Sequence, residues 1–210
     1  MDSPPVIQTR DPAVLTTAAI LGMSLFGLFL IVPVLISMMI VSILQFGIPS
    51  FLIPLAIIAL ATFFLPFGFG NAYLKRLVEP LRPSGDPKEA GYVVQLTRNP
   101  RQRSGLWAVI EDADDIGWLQ FTDSAVVFTG DSLRLRVPYD RVRDLKKRNA
   151  GWRSLFAYGP QTMFSLAEMP EAGAFLFAER SSYVIPTSRK VGLEIYTRLQ
   201  EKTSAQKRVE

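Results

Sequence analysis

The sequence contains no cysteine and no histidine. Without cysteine there is no disulfide framework and no thiolate chemistry. Without histidine there is no imidazole base, no Ser-His triad and no histidine-ligated zinc. An all-carboxylate Mg²⁺ site is left open by these absences. Glycine-rich phosphate loops, nucleophile elbows and dinucleotide fingerprints are absent too. A further absence is local. Between Pro12 and Leu74 there is no Asp, Glu, Lys or Arg, although Arg10 and Asp11 precede the run and Lys75 and Arg76 follow it.

A charge-free run of that length is what a bilayer demands, because charges near its centre cost several kcal/mol each. One span needs about 20 apolar residues. The clearest break is Gln45-Phe46-Gly47-Ile48-Pro49-Ser50, where Gln, Gly, Pro and Ser cluster. Pro33 has only apolar neighbours and reads as a kink inside a helix. The expectation is a tail over 1–12, then a transmembrane hairpin over 13–74 with spans near 18–44 and 51–73. The break carries no Lys or Arg, whereas Lys75, Arg76, Arg82 and Lys88 follow the run. By the positive-inside rule both termini are then cytoplasmic, in a multi-pass protein of a bacterial plasma membrane. Few polar groups, such as Ser24, Ser37, Ser42 and Thr62, lie within the run, so it reads as an anchor and not as a transport path. Residues 75–90, with Pro80, Pro83 and Pro87, read as a stiff linker.

The pattern changes after Gly91. Tyr92–Thr97, Ile116–Phe121 and Ser124–Thr129 are short runs of β-formers. Ser132–Val137 alternates, with Leu133, Leu135 and Val137 on one face and Arg134 and Arg136 on the other, as in a half-buried antiparallel strand. Gly130-Asp131 is a hairpin turn signal. Further strands are expected near 154–158, 163–166, 174–177 and 182–185. After Pro186, with Thr187 or Ser188 as cap, Val191, Ile195 and Leu199 recur at four-residue spacing, which predicts an amphipathic helix. The soluble domain is expected over 91–202, with a polar tail over 203–210. Its fold class is all-β or α+β: a bent antiparallel barrel closed by a C-terminal helix.

The run Gly117–Lys147 resembles the core of GRAM-like and bacterial pleckstrin-homology-like (PH-like) domains. The residues that carry the likeness are Gly117, Leu119, Phe121, Thr122, Val127, Phe128, Val137, Pro138, Tyr139 and Val142. A two-helix anchor joined to such a domain resembles a common bacterial membrane-protein layout. The resemblance implies a binding or scaffolding module and transfers no ligand.

Residues 75–210 hold 22 of the 23 Lys/Arg and 17 of the 19 Asp/Glu, a balance of +5. That weak basicity suits anionic headgroups and does not argue for nucleic acid. Its densest part is Arg141, Arg143, Lys146, Lys147 and Arg148, followed by Arg153. These six are the expected contacts to anionic lipid or to a partner protein; the alternative is a solvated face. A second group, Arg98, Arg101 and Arg103, is read in the same way. Glu111-Asp112-Ala113-Asp114-Asp115 lacks the glycine and spacing of a calcium loop and reads as an exposed loop. Trp118 is expected in the core. No catalytic residue, metal or cofactor is expected. The function read from these residues is a membrane-anchored, non-enzymatic binding or regulatory module. Its partners are the lipid bilayer, anionic headgroups, and a membrane protein or a second copy of the chain. The alternative is an accessory subunit of a membrane transporter or envelope complex.

Overall fold

A computed structural model describes residues 6–9, 33–47, 52–57, 68–83, 91–99, 113–149, 159–167, 169 and 172–208. In chain order the described elements are β1 (Val6–Thr9), the helical stretches α1 (described over 33–46) and α2 (described over 52–57), and α3 (Gly68–Val78). Strands β2 (Tyr92–Arg98), β3 (Asp115–Phe121), β4 (Ala125–Gly130), β5 (Leu133–Pro138) and β6 (Val142–Arg148) come next. Then come β7 (Gln161–Leu166), β8 (Ala174–Glu179) and the helix α4 (Ile185–Gln206).

The strands form one curled antiparallel sheet in the order β1-β5-β4-β3-β2-β8-β7-β6, and α4 closes it. The sheet is two meanders, β2 to β5 and β6 to β8, joined where β2 pairs with β8. Strand β5 shows the expected alternation, with Leu133, Leu135 and Val137 buried and Arg134 and Arg136 exposed. The core on the helix side holds Val94, Leu96, Leu119, Phe128, Phe164, Phe175 and Phe177 with Ile195 and Leu199 of α4. Phe164 lies 5.8 Å from Phe175 and 5.7 Å from Phe177, ring centre to ring centre. Such tilted pairs add to plain area burial.

Helix α4 begins at Ile185, earlier than the Thr187 or Ser188 cap predicts. Pro186 occupies its first turn, where its missing N–H is no loss. Ser188 is inside the helix, and its hydroxyl accepts from the Gly159 N–H at 3.0 Å. The buried stripe is Ile185, Ser188, Gly192, Ile195, Leu199 and Thr203. Gly192 permits close packing on the start of β7: a Cβ there would sit 2.6 Å from the Pro160 carbonyl oxygen. Residues 182–185, expected as a strand, form the approach to this helix. The expected strand at 154–158 lies outside the described residues.

The membrane hairpin requires correction. Among the described residues no helix is long and apolar enough to cross a membrane. The described helical stretches 33–46 and 52–57 cover about 21 Å and about 9 Å at 1.5 Å per residue, against about 30 Å of bilayer hydrocarbon. Helix α1 ends before Gly47, whose φ of 84° and N–H bond to Ile43 O (2.9 Å) make it a left-handed terminator. The two-helix anchor, the bacterial membrane-protein layout that rested on it, and the multi-pass plasma-membrane location with cytoplasmic termini are overturned on this ground. Absence of charge reports an apolar setting; it does not report one continuous helix. At the C-terminal end of the run that setting is the protein itself. Leu74 and Val78 of α3 pack with Val93, Ile116 and Trp118 on the sheet face opposite α4. Buried Asn71 donates its amide to Ser182 O at 2.8 Å, and Trp118 donates its indole N–H to Val78 O at 2.8 Å. The Arg82 guanidinium lies 5.1 Å above the Trp118 ring. The segment expected as a linker thus opens with helix and a 3-10 turn (Glu79–Leu81) held on the sheet. Trp118 is buried, as expected. Val6–Thr9, expected as tail, pairs with β5 and sends Ile7 toward the core.

Candidate functional site

Strand β6 carries four of the six expected contact residues and forms one edge of the sheet. Among the described residues only β7 pairs with it. Val142 lies opposite Leu166 and Arg143 opposite Ser165, but the next register pair is Lys146 with Met163. Asp144 and Leu145 therefore stand together against Phe164: a β-bulge, with Asp144 at φ 50°. The consequence for side-chain direction is definite. Val142 and Leu145 both turn toward the core, and Leu145 packs on it. Arg143, Lys146 and Arg148 share the opposite face with Ser165, Met163 and Gln161. Lys147 lies opposite Thr162 on the core-side face, beyond the core. Without the extra residue, strict alternation would expose Leu145 and turn Lys146 and Arg148 inward.

All four cations of β6 are exposed, and among the described residues none forms an ion pair. Asp144, the one carboxylate of the strand, accepts from the Ser165 hydroxyl at 3.1 Å. Arg141 differs. It lies in the 3-10 turn before β6 with its Nε 2.7 Å from the Asp140 carboxylate, and it is only partly exposed. Arg153, Arg101 and Arg103 lie outside the described residues. Arg134 and Arg136 are exposed cations on β5, next to the opposite edge β1, so the strand order does not join them to the β6 row.

No family model matches the chain, and no curated protein or solved structure shows significant similarity to it. The GRAM-like resemblance of Gly117–Lys147 accordingly has no family match behind it. Within that run, Gly117, Leu119 and Phe121 are β3 residues and Val127 and Phe128 are β4 residues of the curled sheet.

Two other polar clusters have structural work. Asp115 was expected in an exposed loop but is buried. Its Oδ1 accepts from the N–H groups of Ile116 (2.8 Å) and Asp131 (3.1 Å), and its Oδ2 from those of Ser132 (3.0 Å) and Leu133 (2.6 Å). It thus ties down the β4–β5 turn, which falls at Asp131-Ser132, one residue later than the predicted Gly130-Asp131. Burial raises its pKa above the ordinary carboxylate value, opposed by those four backbone bonds. The side chains of Asp114 and Asp115 thus bind backbone N–H groups, Asp114 taking that of Arg98, and no cluster of three metal-ligating side chains occurs among the described residues. The second cluster joins β2 to α4. Tyr92 donates its hydroxyl to Glu194 at 2.5 Å, and the Arg198 guanidinium lies 5.8 Å from the Tyr92 ring. Burial, then the bond to Glu194, push the Tyr92 pKa up to about 12, with the Arg198 charge pulling the other way.

The bulge escaped sequence reading, although it leaves a trace. Val142 and Leu145 are spaced by three residues where a regular half-buried strand would space them by two.

Proposed function

We propose that the chain is a non-enzymatic binding module that presents β6 to an anionic partner surface. One observation carries this reading: Arg143, Lys146, Lys147 and Arg148 are exposed on an edge strand with no ion pair among the described residues. Solvated surface cations usually alternate with carboxylates, and here the one carboxylate of the strand is turned to Ser165. The strand order supports a PH-like reading of the barrel: a four-strand meander, a three-strand meander paired back to its first strand, and a closing helix. An anionic lipid headgroup and an acidic protein surface both fit the charge; neither demands a catalytic group.

The test replaces Arg141, Arg143, Lys146, Lys147 and Arg148 together with Gln in the full chain. Partition onto phosphatidylcholine vesicles with and without phosphatidylserine is then compared. The preference of the wild type for anionic vesicles should fall steeply and lose most of its salt dependence. An unchanged preference would remove β6 from the contact.

A further inference from the structure

The charge of β6 is not a diffuse cloud: the bulge sorts it by face. Arg143, Lys146 and Arg148 lie on one face, and Lys147 lies on the other. Alternate residues of a strand are spaced about 7 Å apart, so the three cations form a row about 14 Å long. Arg141 stands outside the row and is held by Asp140.

Two kinds of anionic partner could use such an edge. An acidic extended peptide would add as a further strand and pair through backbone along β6. The bulge opposes this. It interrupts the ladder at mid-strand and places Asp144 in the left-handed region, and bulges and charges are how edges are protected from strand addition. A planar anionic surface needs no backbone register. It needs several cations aimed to one side in excess of carboxylates, and the row supplies three against Asp144, whose carboxylate accepts from the Ser165 hydroxyl.

We infer that Arg143, Lys146 and Arg148, aligned by the bulge at Asp144-Leu145, are a contact row for an anionic lipid surface, and that Lys147 and Arg141 are not part of it. This rests on the binding-module reading above and sharpens it from a basic segment to three side chains and one partner. Asp144 is a positioning residue: its extra place in the strand turns Lys146 and Arg148 to the contact face while Leu145 keeps its place on the core.

The test uses changes of identical charge. Full-chain variants R143Q, K146Q, R148Q, K147Q and R141Q are each measured on phosphatidylcholine vesicles with and without phosphatidylserine. The ratio of the two affinities removes any contribution of the charge-free stretch. R143Q, K146Q and R148Q should each lower that ratio about fivefold and flatten its salt dependence. K147Q and R141Q should leave it within about twofold of wild type. D144G keeps a backbone that favours positive φ and removes a negative charge beside the row, so it should raise the ratio. Glutamate-rich peptide and inorganic phosphate are added as competitors. Phosphate at the concentration of the accessible lipid headgroups should not displace the protein. Displacement by it would assign a lone-anion site and overturn the row. Displacement by the peptide alone would overturn the lipid assignment in favour of a protein partner. Equal losses in K147Q and K146Q would also overturn the inference while leaving the basic segment as contact. If the fivefold-substituted chain keeps its anionic preference, the broader reading fails instead.

Discussion

Replacing Asp115 tests how the sheet holds its longest meander together. Four backbone N–H groups converge on its carboxylate, two per oxygen. Asparagine keeps the shape but supplies one acceptor oxygen and one donor nitrogen. Its better orientation places the carbonyl oxygen at the Oδ2 position, retaining Ser132 and Leu133. The NH₂ then faces the N–H groups of Ile116 and Asp131. Asp131 has a second acceptor in Ile116 O at 3.3 Å, so the Ile116 N–H is the group left without one. One buried orphan donor costs about 1–3 kcal/mol. Relief of the buried charge offsets part of that, and a net loss of about 1–2 kcal/mol is expected for D115N. D115A also strips Ser132 and Leu133 of their acceptor. Three orphan donors cost at least about 3 kcal/mol, a large part of the ~5–15 kcal/mol that holds a domain folded. Urea unfolding followed by tryptophan fluorescence should order the chains wild type, D115N, D115A. D115A within about 1 kcal/mol of wild type, or more stable than D115N, would refute the account of the turn.

Other expectations are independent of that one. Because burial raises the Asp115 pKa in the folded chain, its stabilising contribution is complete below the unfolded value and is lost as pH rises through the folded one. The stability gap between wild type and D115N should therefore widen on acidification; a narrowing gap would mean that the backbone bonds outweigh burial. Tyr92 is raised to about 12, so its contribution is complete below the ordinary tyrosine value near 10 and disappears as pH climbs through about 12. Alkaline denaturation curves should be shallower for Y92F than for wild type. G192A should destabilise by about 1–3 kcal/mol in thermal or urea melts. The gain in helix propensity is about 1 kcal/mol, and the new methyl would meet Pro160 O at 2.6 Å, which forces α4 off the sheet.

What could be read in advance depended on whether a residue's neighbours in space are its neighbours in sequence. The alternation of β5 and the stripe Ile195-Leu199 of α4 are local patterns, and both stand as expected. Strand β6 was legible as a cluster of charge but not as a strand, because the bulge breaks period two at Asp144. Asp115 read as loop because it closes an acidic run; its burial depends on donors 16 to 18 residues away. The charge-free run misled most. Leu74 is the same residue whether it faces lipid or the Trp118 side of a sheet, and only long-range packing in the cluster with Val93, Ile116 and Trp118 separates the two. Strand β1 is four residues long, too short to outweigh the prolines before it.

The docking of β1 and α3 has a consequence for how this chain can be cut and how it folds. Strand β1 precedes the charge-free stretch and α3 contains its C-terminal end, yet both rest on the β domain, one on β5 and the other on the Trp118 face. The folding unit is therefore discontinuous in sequence. A fragment starting at Gly91 would free the backbone edge of β5 and leave the Trp118 indole N–H without the Val78 carbonyl. The register Ile7 with Leu135 spans most of the distance between the two ends of the barrel along the chain. Such a contact closes a large loop and forms late. Until it forms, β5 is an open strand edge of the kind that recruits other chains, and Arg134 and Arg136, alternating along it, are the charges that guard it. Fragments made for binding studies should keep β1 and α3, or they will measure the stickiness of an unfinished sheet.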